Sequence, residues 1–208
     1  MTIIDQLNTA LSGIVLHLPY LLTILGWTWA LHVVNVFFGY RLCMFGIIPR
    51  FPTGLVGIFI APFLHGNFNH IFMNSFFFLG LGSFVILQGE QVFNVVSIAI
   101  IVIAGLLTWL FARRAAHVGA SSVIMGYWSF LMVRAYYHPD IIDLLAAALG
   151  LYYFGVHMAA SLVSHEKGVS VEGHVFGFLA GAVTGAFYPA IALWVLAGAD
   201  KLGLYLGG

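Results

Sequence analysis

Charge is what this sequence has least of: 7% of its 208 residues are Asp, Glu, Lys or Arg, where a soluble domain carries about 25%. Hydrophobic residues make up 62% and the mean hydropathy is +1.05. A soluble chain of this length could not hide that much apolar surface, so a bilayer is the expected solvent. Seven basic residues balance seven acidic ones, which leaves no basic field for nucleic acid. Cysteine is nearly absent. The lone Cys43 excludes an intramolecular disulfide and any cysteine-based metal cage, and reads as a small packed hydrophobe. A basic n-region and a small-residue cleavage pattern are missing from the first residues, so 1–17 is expected to be a retained amphipathic segment along the membrane surface. No internal repeat is found, which counts against the inverted-repeat plan of many secondary transporters.

Long apolar runs are what is there. A span needs about 20 mainly apolar residues, and six windows fit: Leu18 to Leu42, His70 to Leu87, Val92 to Ala112, a short one from Ser121 to Tyr137, Ile141 to Val163, and His174 to Ala197. The expected architecture is an all-α membrane protein, a six-transmembrane helical bundle. It comprises one domain over 18–197, preceded by the segment 1–17 and followed by a short tail, 198–208. The long connection from Arg41 to Leu64 is rich in Phe, Ile and Pro, which suits a structured loop in the interface, packed against the bundle.

Alternating direction puts the starts of spans two, four and six at one face. Those starts hold the most polar residues of the spans: His65, Asn67, Asn69, His70 and Asn74; Gly119 to Ser122; Glu172 to His174. Polar groups within a membrane are costly and by default face the bundle interior or a water-filled cavity, where they have a function. His70 and Asn74, four apart, share a helix face. A serine hydroxyl needs a base to become a nucleophile, and imidazole is the usual base near neutral pH; Ser121 and His174 are the candidates. His174 heads a stripe of Gly177, Gly181 and Gly185, and Gly119, Ser122 and Gly126 form a matching small-residue face on the fourth span. Two such faces pressed together bring Ser121 to His174. His70, Asn74 and the Ser121 N–H can donate to a developing oxyanion, where one donor is worth about 2.7–4 kcal/mol. Glu172, two residues from His174, would not share its helix face, so a dyad is expected rather than a triad.

A metal centre at His65, His70 and His174 is disfavoured. The first two are five apart rather than at the helical spacing of a His-Glu-x-x-His site, and no acidic residue lies between them to act as base. His17, His32, His117, His138, His157 and His165 read as interfacial, loop or hydrogen-bonded core residues, Ser122 and Ser129 as packing residues, and the five tryptophans as interface anchors or core. No cofactor is implied.

The run His65-Gly-Asn-Phe-Asn-His70-Ile-Phe-Met-Asn74, then Gly119-Ala-Ser121-Ser, then Gly173-His174-Val-Phe-Gly177 with Gly181 resembles the rhomboid intramembrane serine proteases of the bacterial six-span type. The stretch Gly46-Ile-Ile-Pro-Arg50 with Thr53-Gly-Leu55 resembles their half-embedded first loop. The resemblance implies that Ser121 is the nucleophile and His174 its base, that His70 and Asn74 line the oxyanion hole, and that His65 supports the site. It implies transmembrane protein substrates entering beside the fifth span, a multi-pass location in a bacterial inner membrane, and a site toward the non-cytoplasmic side. That orientation places Arg41, Arg50, Arg113, Arg114 and Lys167 outside, against the positive-inside preference; a well-packed loop can hold its own arginines. Two positions depart from the family pattern: Ser122 stands for the usual glycine, and Met125 for an aromatic residue, so His174 is expected to pack against something other than a tyrosine ring. The alternative is a non-catalytic relative that binds transmembrane helices.

Overall fold

The computed structural model describes residues 2–155 and 170–204, so the end of the fifth window (156–163, with His157) and most of the loop after it, with His165 and Lys167, lie outside the described residues. The described chain is helical, with one isolated antiparallel bridge between Ile47 and His117. Its helices are α1 (Ile3–Phe37), α2 (Pro52–Ile60), α3 (Phe68–Ile86), α4 (Glu90–Phe111), α5 (Ser121–Tyr137), α6 (Ile141–Gly150), α7 (Val171–Ala186) and α8 (Tyr188–Lys201). The helix α6 widens into a π-helical turn over Leu151–Gly155.

Two helices run differently from the windows read in the sequence. The helix α1 begins at a Thr2–Asp5 capping box and runs without a break through the anticipated junction between residues 17 and 18. Near its middle the helix is held by the bundle. His17 Nδ1 lies 3.1 Å from Glu90 Oε1, and the Tyr20 hydroxyl donates to Asn94 Oδ1 at 2.7 Å. The sixth window is also not one straight helix, because α7 and α8 meet at 99° around Phe187. Pro189, in the first turn of α8, lacks an N–H and its ring would clash with the preceding turn, so the helix restarts instead of continuing.

By length and apolarity α1, α3 and α4 can each cross a bilayer alone, and the bent pair α7–α8 makes a fourth candidate. The helix α5, at 17 residues, is short because it is central. Every residue from Val123 to Leu131 is buried, and α3, α4, α6 and α7 all pack on it. The main core joins Leu21, Phe78, Phe93, Ile100, Tyr127 and Leu131. Large side chains such as Val15, Leu16, Trp27 and Phe37 are exposed along α1, as suits a lipid-facing surface.

The first loop is structured, as expected. Arg41–Phe45 and Ala61–Phe63 form 3-10 turns on either side of α2. Ile47, Ile58 and Ala61 bury themselves against Ile101 and Trp109 of α4. Arg50, at φ 63°, donates its N–H to the Trp109 carbonyl and its Nη1 to the Leu110 carbonyl, both at 3.0 Å. Those are end carbonyls of α4 that lack intrahelical partners, and satisfying them offsets the left-handed backbone.

Between α5 and α6 lies an ion pair. Arg134 Nε and Nη2 each approach Asp143 Oδ2 at 3.1 Å, and Asp143 is fully buried. Removing one partner strands the other charge inside the bundle. Asp143→Ala is therefore expected to destabilise the protein by about 3 kcal/mol, and Arg134→Met with Asp143→Leu to recover most of it, as read by thermal unfolding in detergent. A double variant no more stable than Asp143→Ala would refute this.

Candidate active site

The start of α3 is set by Asn67, whose Oδ1 accepts the His70 N–H at 2.8 Å. This cap places His70 in the first turn and Asn74 one turn deeper on the same face. Both side chains press on the loop before α5. Gly119 sits at φ +109°, and a β-carbon there would stand 2.5 Å from His70 Nε2 and 3.4 Å from Asn74 Nδ2. Only glycine meets both demands. The Gly119 N–H donates to the Ala61 carbonyl at 2.8 Å, tying this loop to the first loop. Two residues on, Ser121 opens α5 half-buried, and Ala120 at the N-cap offers no side-chain acceptor to the first N–H groups of the helix. Asn74 is buried, and its Nδ2 finds no hydrogen-bond partner among the described residues.

The two small-residue faces meet in parallel. A β-carbon on Gly177 would collide with the Ser122 carbonyl, one on Gly181 with the Gly126 carbonyl, and one on Gly185 would stand 2.9 Å from Val133 Cβ. The Ser129 hydroxyl, 2.7 Å from the Phe178 carbonyl, adds a polar tie across the same contact. In this register His174, half-buried one turn ahead of Gly177, is brought level with the loop that leads into Ser121. The structure thus gathers Ser121, His70, Asn74, Gly119, Gly177 and the first turn of α7 at one end of the bundle.

His65 is 1% exposed, and its ring lies edge-on to that of His70 at 5.0 Å between centroids. Its backbone is held from α1, where Asn35 Nδ2 donates to the His65 carbonyl at 3.2 Å and Asn35 Oδ1 accepts from the Leu42 N–H at 3.0 Å. His32, also buried, stands 6.5 Å from the His65 ring. Reading the sequence missed Asn35, and its only signal was a polar residue near the end of an apolar run. Among the described residues no group of three or more His, Cys, Asp or Glu side chains is arranged to hold a metal ion.

Two cavities border the site. One of about 30 Å³ is lined by Thr108, His117, Ser121, Ser122 and Ser170, among others, and has room for a water with polar partners on several sides. The other, about 400 Å³ and mostly apolar, lies between α1, α3, α4 and α5 and reaches Asn74, His65 and Ala120 from behind. Ser121 borders the small polar cavity and Asn74 the large apolar one.

Comparison with known proteins identifies the family. The Rhomboid domain matches residues 52–190, which take in α2 through the start of α8. The chain is 30% identical over 171 residues to uncharacterized protein Rv1337 of Mycobacterium tuberculosis and to uncharacterized protein Mb1372 of Mycobacterium bovis, covering 78% of this chain and 71% of each relative. Uncharacterized protein ML1171 of Mycobacterium leprae is 30% identical over 136 residues, or 62% of this chain and 54% of that protein. With the domain match spanning the elements that build the site, this helical membrane protein belongs to the rhomboid family.

Proposed function

We propose that this protein is an intramembrane serine protease that hydrolyses peptide bonds in or near transmembrane segments of other membrane proteins. Ser121 attacks the scissile carbonyl while His174 takes its proton, then returns it to the leaving amine. Water, entering from the polar side, resolves the acyl-enzyme with His174 again as base. His70, Asn74 and the Ser121 N–H hold the oxyanion. The site faces the non-cytoplasmic side of a bacterial inner membrane, and substrate helices enter beside α6. Two of the four arginines that oppose this orientation by count have partners in the protein: Arg50 on the end of α4, and Arg113 with Glu172 at 3.6 Å.

One observation carries the reading. Asn74 Nδ2 is a buried donor with no partner among the described residues, and it and His70 Nε2 converge on the glycine two positions before Ser121. An unpaired buried donor costs about 1–3 kcal/mol, which is sustained where an acceptor arrives during function. The oxyanion of a serine attack is such an acceptor.

The direct test is labelling of the detergent-solubilised protein with a fluorophosphonate probe. Labelling is expected for the wild type and for Ser122→Ala, and is expected to vanish in Ser121→Ala and His174→Ala. Absence of labelling in a folded wild-type preparation would transfer the assignment to a non-catalytic binder of transmembrane helices.

A further inference from the structure

We propose that His117 is a positioning residue for the reaction, fixing the register between the loop that carries Ser121 and the helix that carries His174. This rests on the protease reading above. The imidazole Nδ1 lies 2.7 Å from Ser170 Oγ, and Nε2 lies 3.0 Å from the Arg113 carbonyl. A carbonyl only accepts, so Nε2 carries a proton, and in the neutral imidazole Nδ1 is then the acceptor. The Ser170 hydroxyl therefore donates to His117, and the same oxygen accepts the Gly173 N–H at 3.0 Å as the N-cap of α7. Every donor and acceptor in the chain Gly173 N–H, Ser170 O–H, His117 Nε2–H, Arg113 C=O is used once and in one direction.

The placement gives this chain its consequence. His117 is four residues ahead of Ser121, and Ser170 is four ahead of His174, whose N–H donates to the Ser170 carbonyl at 3.2 Å. One side-chain hydrogen bond therefore joins the two approaches to the proposed dyad, between residues 53 apart in sequence. His117 cannot drift, because its N–H and C=O exchange hydrogen bonds with Ile47 at 2.9 and 3.0 Å and its residue is 7% exposed. His117 and Ser170 line the same small cavity as Ser121. Their effect runs through the separation of Ser121 and His174, to which proton transfer is steeply sensitive.

The test uses the full chain in proteoliposomes with a cleavable transmembrane substrate, alongside the rate of fluorophosphonate labelling and thermal unfolding. His117→Ala and Ser170→Ala are each expected to lower kcat by about 10–100-fold, within the range of a small misplacement of reacting groups. KM should stay within about twofold, and the double variant should lose no more than the worse single, as for residues acting as one unit. His117→Asn, whose Oδ1 can accept from Ser170 in place of Nδ1, is expected to recover most of the rate. Labelling should fall in parallel with kcat. Wild-type kcat and labelling in a folded His117→Ala protein would overturn this proposal while leaving the protease reading intact. So would parallel loss of kcat, KM and thermal stability with no rescue by asparagine, which marks a merely structural residue. Absence of labelling in the wild type would overturn both readings.

Discussion

Ser121→Ala and His174→Ala are each expected to lower turnover of a transmembrane substrate by about four to six orders of magnitude, and the double variant to lose no more than the worse single. The hydroxyl is not a nucleophile without the imidazole, and the imidazole has no proton to take without the hydroxyl. Removing either removes the pair. Losses that multiplied in the double variant would sink the dyad. Against these, Asn74→Ala should cost about 10²–10³ in kcat with little change in KM, because it touches the oxyanion and not the ground-state carbonyl. The residual rate separates the roles: a side chain that only packed would change KM, stability or neither, but not kcat alone.

Gly181→Leu is expected to damage the protein severely. Its new β-carbon would occupy the place of the Gly126 carbonyl, a backbone atom that no rotamer can move aside. Overpacking ordinarily costs about 1–3 kcal/mol through side-chain adjustment. Here α5 and α7 would have to separate, so the loss should exceed that range and fluorophosphonate labelling should disappear although Ser121 and His174 are both present. Gly80→Leu on α3 is the control, since a β-carbon there meets nothing within 4 Å; stability within about 0.5 kcal/mol of the wild type is expected. Thermal unfolding of both variants in the same detergent decides the matter. A Gly181→Leu protein as stable as Gly80→Leu would mean that the α5–α7 contact is not close-packed.

Much of the site was legible because it is written in local periodicity. His70 and Asn74 at one helical turn, Gly177, Gly181 and Gly185 at four-residue steps, and Ser122 and Gly126 opposite them define helix faces without knowledge of the fold, whereas Gly119, expected on the same face, lies in the loop before α5 and meets His70 and Asn74 instead. The bounds expected for the fourth span coincide with α5 (Ser121–Tyr137) because polar loops flank it on both sides. Local patterns say less where the course of a helix depends on what the chain meets. No residue near position 17 is a break by itself, and the helix continues because Glu90 and Asn94 of α4 hold His17 and Tyr20. At Phe187 the signal was present in Pro189 and was outweighed by the apolar run around it.

The sequence by itself determined the solvent, the all-helical class and the family. Its scarcity of charge excludes a soluble core, its apolar runs must satisfy their backbone groups internally, and its three polar motifs occur in a fixed order. Only the tertiary structure decided the register of α5 on α7, the conversion of Gly119 into a seat for His70 and Asn74, and the bond from His117 to Ser170. The reason is physical. A helix face follows from residues three and four apart, whereas the contact between two faces depends on backbone approach and on hydrogen bonds between residues more than fifty positions apart, which no local pattern encodes.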